Sequence, residues 1–522
     1  MPSDLDHVRL EEDREDAPFL AEQTPQSRPD PTVAREKLRM RLMITLFTII
    51  LFVETGASMT SGPMTRIYES IACRHFYQAY NASMIDNSGQ VPEKWCKGKE
   101  VQGEVAIVKG YGELFDALAS IVLAVPYCLL ADRYGRKPTI CLSIPGFVLN
   151  IAICGVILWF SDIFPLRAVW LSSLAWLLGG GVVVAAAIIW TMMADVTTET
   201  QRAAIFFRFG VAVMSSEVLS SALSSWLMTM DPWIPMILGW VIVIVGILLS
   251  ITLPETMHAF PSQELKQSHG LSNLSLDTEG PDQSRFSRPL EKTASDTFRS
   301  RVSSMLSKYS FVTAKKPVML LLSAFLVYRL SRGTAWFLIQ YVSVRYGWTI
   351  AQANLLVSLK ATLMVLLFLS ILPAASWYLI HRRGTDSRQK DLILTKCSIL
   401  SLMVGTLGIG LSPHVSVLIF CMVIQTLGAG FVYTTRSLIT TMIHRDQTAR
   451  LYTIIEIIQA LGSILASGAM TAVFQWGINL GGFWTGLAWI LASSLFGVIA
   501  IFIWAVKPPP VAKLPDDIDE ET

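Results

Sequence analysis

Residues 130–137 read LADRYGRK and form a short basic turn between two long apolar runs, 108–131 and 138–160. A helix needs about 20 mostly apolar residues to cross the hydrocarbon core of a bilayer. Such a helix satisfies its backbone hydrogen bonds internally, which the lipid requires. Each run is long enough, so we predict two membrane-spanning helices joined by this turn.

Ten further apolar runs extend the pattern along the chain. Hydrophobic residues make up 52% of the 522 residues and charged residues 16%, whereas soluble domains have about 25% charged residues. We therefore predict an all-α membrane protein with twelve transmembrane helices. They are placed at 42–65, 108–131, 138–160, 167–190, 203–228, 233–252, 318–342, 355–380, 391–411, 414–440, 451–475 and 483–505.

A polar stretch, 253–316, separates the sixth predicted helix from the seventh. It is rich in Ser, Thr, Asp and Gln and lacks apolar periodicity, which predicts a flexible linker. The chain then divides into two six-helix bundles, 39–252 and 317–506. The segment 1–38 is predicted to be a disordered tail, and 507–522 an acidic tail.

Two short matches recur at nearly the same offset in the two halves. The stretch Leu130–Gly135 resembles Ile380–Gly384, and Arg202 before helix five corresponds to Arg450 before helix eleven. Repeats of this kind relate two pseudo-symmetric bundles that enclose a substrate site near the middle of the membrane. We predict that arrangement here.

Lysine and arginine are concentrated in the even-numbered connections, beginning with Arg133, Arg136 and Lys137. Such residues favour the cytoplasmic side of a membrane. Both termini and the linker are therefore predicted to be cytoplasmic, in what we expect to be the plasma membrane. The connection 66–107 is basic as well, but the other connections place it outside.

That outer connection carries two candidate modifications. Asn81-Ala-Ser83 is an acceptor sequence for N-glycosylation. Cys73 and Cys96 lie in the same connection, and the sequence leaves open a disulfide or two free thiols. The seven cysteines show no metal-binding spacing, so neither a metal nor a cofactor is predicted.

The LADRYGRK turn resembles the signature motif GxLaDRxGRK of the major facilitator superfamily of secondary transporters. Cys128 stands where that motif has its leading glycine, so local packing should differ. Residues 194–202 (ADVTTETQR) look like the loop after helix four in bacterial tetracycline antiporters and proton-coupled folate transporters. The pieces IACRHFY, VQGEVA, QYVSVRYGW, RQKDLIL and TRSLIT are similar to filamentous-fungal facilitators associated with secondary-metabolite pathways.

The resemblance implies a cytoplasmic gate at the turn. Asp132 is expected to accept hydrogen bonds from the N-terminus of helix eleven, where free N–H groups favour an anion. Arg136 is expected to pair with Asp195 when the cytoplasmic ends are closed. The other interpretation is that the basic residues only anchor the turn. The candidate gate residues are Asp132, Arg133, Gly135, Arg136, Lys137, Asp195, Arg202 and Arg450.

Several predicted helices carry ionisable residues, each of which costs at least ~2.5–3.5 kcal/mol at the centre of a membrane. Spacings of three and four place them on one face of each helix. The facilitator fold implies that helices one, two, five, seven, eight and eleven line the cavity. The candidate pathway residues are Glu54, Asp116, Glu217, Arg329, Arg332, Trp336, Lys360, Glu456 and Gln459.

Glu217 and Glu54, followed by Glu456, are the candidate proton carriers, because carboxyl groups in such sites suit proton coupling. A structural salt bridge is the alternative for any one of them. Trp336 would stack on a planar substrate or simply pack. Lys109 and Glu113 lie near the outer face, at the start of predicted helix two, and are expected at the membrane interface.

These features predict a monomeric secondary transporter rather than an enzyme, because no nucleophile–base pair and no GxxxxGK[ST] string occurs. The leading hypothesis is proton-coupled export of a small organic molecule by alternating access. One alternative is proton-coupled import of a folate-like organic anion, and another is a low-flux transceptor or scaffold. A net charge of +2 gives no reason to expect nucleic acid.

Overall fold

The structure is a computed structural model that describes residues 31–86, 89–196, 199–254, 316–385, 387–440, 442 and 448–505. Within these residues every regular element is helical. Twelve helical passes follow one another. They are α1 (Pro31–Tyr80), α2 (Lys99–Tyr134), α3 (Arg136–Trp159), α4 (Leu166–Leu177 and Gly181–Val196), α5 (Glu199–Met228), α6 (Trp233–Leu248), α7 (Lys316–Ser331, Arg332–Phe337 and Leu338–Tyr346), α8 (Ile350–Leu366, Leu367–Ile371 and Leu372–His381), α9 (Ser387–Leu411), α10 (Val415–Leu427 and Phe431–Thr440), α11 (Thr448–Leu480) and α12 (Gly482–Gly486 and Leu487–Ala505).

The helical passes occupy the predicted positions and confirm the predicted fold class. Among the described residues, eleven passes are long and apolar enough to cross a membrane. The remaining pass, α2, has 36 residues, which is ample at 1.5 Å per residue. The predicted linker 253–316 and both predicted tails lie almost entirely outside the described residues, although α1 begins within the N-terminal one, at Pro31.

Small residues allow close packing inside each bundle. In the first, a Cβ added to Gly56 of α1 would lie 2.5 Å from the carbonyl oxygen of Gly239 in α6. In the second, a Cβ on Gly486 of α12 would lie 2.1 Å from the carbonyl oxygen of Gly410 in α9. Such contacts are typical of helices that associate within lipid, where close approach replaces the hydrophobic effect.

The two bundles meet through two helix pairs, α2 with α11 and α5 with α8. If the second bundle repeats the first six helices, α8 corresponds to α2 and α11 corresponds to α5. The pair α2 with α11 is then equivalent to the pair α8 with α5. The contacts therefore have the pseudo-twofold arrangement that the internal matches predict. The space between the bundles is bounded by these four helices together with α1 and α7.

The two ends of the molecule differ in what they carry. At one end Cys73 and Cys96 form a disulfide, with Cα atoms 5.3 Å apart. At the other end Gly135 joins α2 to α3 with a φ of +103°. Only glycine adopts this backbone conformation readily, which explains its place in the LADRYGRK turn. These are called the disulfide end and the motif end below.

Candidate functional site

The space between the bundles is closed at the disulfide end by a shared apolar cluster. Ala106 of α2 and Met228 of α5 pack there with Phe337, Phe474 and Trp489 of the second bundle. All except Met228 are at most 1% exposed. These side chains therefore pack directly across the interface between the bundles.

Buried hydrogen bonds cross the same interface. The Gln340 side-chain amide of α7 donates to the backbone oxygen of Gln102 in α2 (2.7 Å) and to its side-chain oxygen (3.0 Å). The Gln102 amide in turn donates to Glu69 Oε1 (2.6 Å) and to the backbone oxygen of Cys96 (2.8 Å). The second bundle is thus hydrogen-bonded to a polar group beside the disulfide.

Glu69 is the centre of this group and is 1% exposed. It pairs with Lys97 (2.7 Å) and Arg66 (3.1 Å). Glu93 pairs with the same two bases (2.9 and 3.3 Å) and accepts the backbone N–H of Ile350 at the start of α8 (2.7 Å). We call Arg66, Glu69, Glu93, Lys97, Gln102 and Gln340 the disulfide-end network.

A second polar contact joins α5 to α8. The Asn354 side chain donates to the backbone oxygen of Ser221 (3.1 Å) and the hydroxyl of Ser225 (2.9 Å). One turn along α8, the Ser358 hydroxyl donates to the backbone oxygen of Val218 (2.7 Å). These bonds extend the closure along α5 from the disulfide end.

At the motif end each bundle has an apolar cluster of its own. The first bundle's cluster includes Leu46 and Ile188, and the second bundle's includes Phe325 and Ile455. Since the shared cluster lies at the other end, the described contacts between bundles are concentrated at the disulfide end.

Two carboxyl groups of the first bundle lie beyond this closure. Glu54 of α1 and Glu217 of α5 are near enough to interact electrostatically, and the neighbouring hydroxyls of Thr55 and Ser216 contact each other. The Glu54 side chain is exposed although protein atoms surround it. The structure therefore brings together the two acids predicted as proton carriers.

Asp116 is bound within the first bundle. Its Oδ1 accepts hydrogen bonds from the Ser173 hydroxyl (2.6 Å) and the Trp176 indole N–H (2.8 Å) of α4. These contacts hold the carboxylate against α4, within the first bundle.

In the second bundle, Arg329 of α7 donates to the Ser463 hydroxyl of α11 (2.9 Å). Lys360 of α8 and Gln459 of α11 are half-buried. A Cβ on Gly462 would lie 2.9 Å from Arg329 Cβ, so α7 and α11 are tightly packed at this level. Arg329 is thus held within the second bundle, between α7 and α11.

Several predicted site side chains lie outside what the structure describes. They are those of Asp132, Asp195, Arg202, Arg332, Trp336, Arg450 and Glu456. At the motif end, Arg133 is exposed and lies over the Tyr134 ring, 5.6 Å from its centroid, while Arg136 and Lys137 are half-buried. The gate pairing therefore stays a prediction.

Lys109 occupies a different place from the one expected. Its ammonium donates to the Thr65 hydroxyl of α1 (2.9 Å), so it lies between two helices rather than at a lipid headgroup. The disulfide-end network was also not anticipated. One sequence signal does point to it, because Glu69 precedes Cys73 by one helical turn and Lys97 follows Cys96 directly. Among described residues, no three His, Cys, Asp or Glu side chains are placed to hold a metal.

No family model matches the chain. A protein of Aspergillus flavus named as an MFS-type transporter, aprT, is 38% identical over 501 residues, which span 95% of each chain. A protein of Emericella nidulans named MFS efflux pump atnC is 30% identical over 98% of this chain and 97% of its own.

The chain belongs to the major facilitator superfamily. Among solved structures, this facilitator resembles the nucleoside transporter NupG with a TM-score of 0.57 and 12% identity, over 90% of this chain and 99% of that one. That likeness shows the fold. The relatives show that this facilitator is a membrane transporter and not an enzyme.

Proposed function

We propose that this facilitator exports a small organic molecule by alternating access, driven by the proton gradient. The observation that carries the proposal is the pair Glu54 and Glu217, which lie within electrostatic range of each other beyond the closed disulfide end. Ionisable groups inside a membrane are costly and are retained where ions or substrates pass. The name of the Emericella nidulans relative, an efflux pump, favours export.

We infer that the disulfide end faces outside and the motif end faces the cytoplasm. Oxidising compartments favour disulfides, and the basic LADRYGRK turn favours the cytoplasm. The closed disulfide end then makes this the inward-facing state. In the outward-facing state the contacts of Gln340 with Gln102 and of the Ile350 N–H with Glu93 would break, while the gate residues of the motif end came together.

The direction of transport is tested in cells that express the protein in the plasma membrane. Accumulation of candidate metabolites is measured with and without a protonophore. Accumulation that rises when the gradient is abolished supports proton-driven export. Accumulation that collapses instead supports the second candidate, import of an organic anion bound by the bases Arg329 and Lys360.

A Glu217→Gln variant is expected to lose proton-dependent transport by about 5–150-fold, the range of a coupling free energy of 1–3 kcal/mol. The amide keeps the shape of the side chain but cannot carry a proton. Transport is compared across pH gradients, with Glu100→Gln as the matched control, since Glu100 is exposed at the start of α2. Full proton-dependent transport by Glu217→Gln would remove this residue from the mechanism.

We expect Asn81 to be glycosylated. Its side chain is exposed beside the disulfide, and its Oδ1 accepts the Ser83 hydroxyl (2.6 Å). Endoglycosidase treatment should increase gel mobility of the wild-type protein and leave Asn81→Gln unchanged. The string Asn273-Leu-Ser275 in the linker serves as the internal control. Glycan at Asn273 instead of Asn81 would reverse the orientation proposed above.

A further inference from the structure

Two neighbouring residues of α2, Lys109 and Gly110, face opposite bundles. Lys109 donates to Thr65 of α1 (2.9 Å), whereas a Cβ on Gly110 would lie 1.8 Å from the Thr471 hydroxyl of α11. One turn nearer the disulfide end, Ala106 belongs to the closing cluster. The side of α2 that carries Lys109 and Gly110 therefore faces the junction of α1 and α11.

Glu113 lies one turn beyond Lys109 on the same face, because residues four apart are neighbours on a helix. Its side chain is exposed although protein atoms surround it. Ser61, one turn before Thr65 on α1, is exposed as well. A Cβ on Gly468 of α11, nearly one turn before Thr471, would meet nothing within 4 Å. From these open positions we infer a chamber beside Glu113, on the motif-end side of the closure.

The charges around this chamber are few. On α2 the neighbours of Glu113 are Lys109 and Asp116, both within electrostatic range. From α1 the Tyr68 side chain is also within range. Asp116 accepts two hydrogen bonds from α4. Among the described side chains, Lys109 is the base that lies within electrostatic range of Glu113.

The charged side chains of the neighbouring helices α1 and α7 lie farther from Glu113 along the helix axes. Glu54 of α1 lies two turns beyond Ser61, toward the motif end. Arg329 of α7 is bound to Ser463 of α11, more than one turn beyond Gly468. Neither is placed to balance Glu113 at the level of Ser61.

We propose that Glu113 binds the cation that enters the transport cycle, a proton or the positively charged group of a substrate, with Lys109 as its exchangeable counter-charge. The proposal rests on the transport function above and assigns a further residue to it. A cation bound at Glu113 balances the carboxylate in place of the Lys109 ammonium. Lys109 is next to Gly110, where α2 contacts α11, so cation binding is expected to affect that contact. A ligand that binds one state more tightly than the other shifts the equilibrium between the two states.

The test uses the purified full chain and dicyclohexylcarbodiimide, which modifies protonated carboxyl groups in poorly hydrated sites. Modified peptides are identified by mass spectrometry between pH 5 and pH 9. We expect label at Glu113, falling by about tenfold per pH unit once the carboxyl is mostly ionised. Labelling is repeated with the organic cation tetraphenylphosphonium. Protection by this probe identifies an organic cation site, and pH-dependent label without protection identifies a proton site.

The proposal is overturned if Glu113 stays unlabelled under all conditions, or if its label depends on neither pH nor tetraphenylphosphonium. The Glu113→Gln variant separates a structural role from a binding role. If Glu113 only forms a structural pair with Lys109, the variant lowers the unfolding temperature but keeps the wild-type pH dependence of transport. The control is Glu100→Gln. A wild-type protein that labels at Glu113 yet exports nothing would contradict the proposed function and leave the cation site standing.

Discussion

A Gly110→Val variant is expected to reach the membrane but to lose about 5–150-fold of its transport. A Cβ at this position would lie 1.8 Å from Thr471 Oγ1 and 2.5 Å from its Cγ2, so the valine holds α2 away from α11. Overpacking of this kind costs about 1–3 kcal/mol, and the range of fold-changes follows from that free energy. The cost applies only to the state closed at the disulfide end, so the population shifts toward the opposite state.

The effect of Gly110→Val is tested by two measurements, one of transport and one of closure at the disulfide end. Transport is assayed in cells, and closure is assayed by the reaction of an Ala106→Cys thiol with a membrane-impermeant maleimide added outside. Ala106 is fully buried by the closure, so its thiol should react slowly in the otherwise wild-type chain and faster with Gly110→Val.

Gly112→Val is the matched control, because a Cβ there meets nothing within 4 Å. Adding Thr471→Ala to Gly110→Val removes the clashing atoms and should restore both transport and protection of the thiol. Normal transport by Gly110→Val alone would show that this helix contact is not part of the cycle.

The helices were predictable because lipid imposes a local rule. A segment must be apolar and about 20 residues long wherever it crosses, so hydropathy alone located most passes, such as α3 and α12. The turn at Gly135 was located by its resemblance to the signature motif, and its φ of +103° explains why a glycine stands there. Both depend on neighbouring residues rather than on distant ones.

Lys109 and Glu113 were misplaced because the start of α2 was predicted too late. A helix that begins at residue 108 would put both at a membrane surface. The observed helix begins at Lys99, so Lys109 lies almost three turns inside it. The polar residues of the added turns, Gln102 among them, find their hydrogen-bond partners in the protein and not in water.

The partners of Asp116 were hidden by the local geometry of α4. Its first segment, Leu166–Leu177, is a 3₁₀ helix, in which residues three apart lie above one another. Ser173 and Trp176 therefore present their donors to one carboxylate oxygen. The hydrogen bond from Gln340 to Gln102 joins residues 238 apart, and such pairs depend on how the two bundles dock.

The disulfide-end network is expected to stabilise the folded protein. A Glu69→Leu variant is expected to lose about 3 kcal/mol of stability, because removing one partner of a buried ion pair costs about 3–5 kcal/mol. Glu69 accepts from Lys97, Gln102 and Arg66 at 2.6–3.1 Å. We expect the lower end of the range, since Lys97 retains Glu93 (2.9 Å). The measurement is unfolding of the purified protein by titration with sodium dodecyl sulfate.

Glu104→Leu is the control, because Glu104 pairs with Arg167, whose side chain is 55% exposed. Exposed pairs contribute about 0–1 kcal/mol. In Glu69→Leu, the largely buried Lys97 has lost one of its two acidic partners. Adding Lys97→Leu removes this base and should recover part of the lost stability. If Glu69→Leu costs no more than Glu104→Leu, the buried charge of Glu69 does not stabilise this end. If the cost is large and the double variant recovers part of it, the loss comes from leaving Lys97 with one acid fewer in a largely buried site.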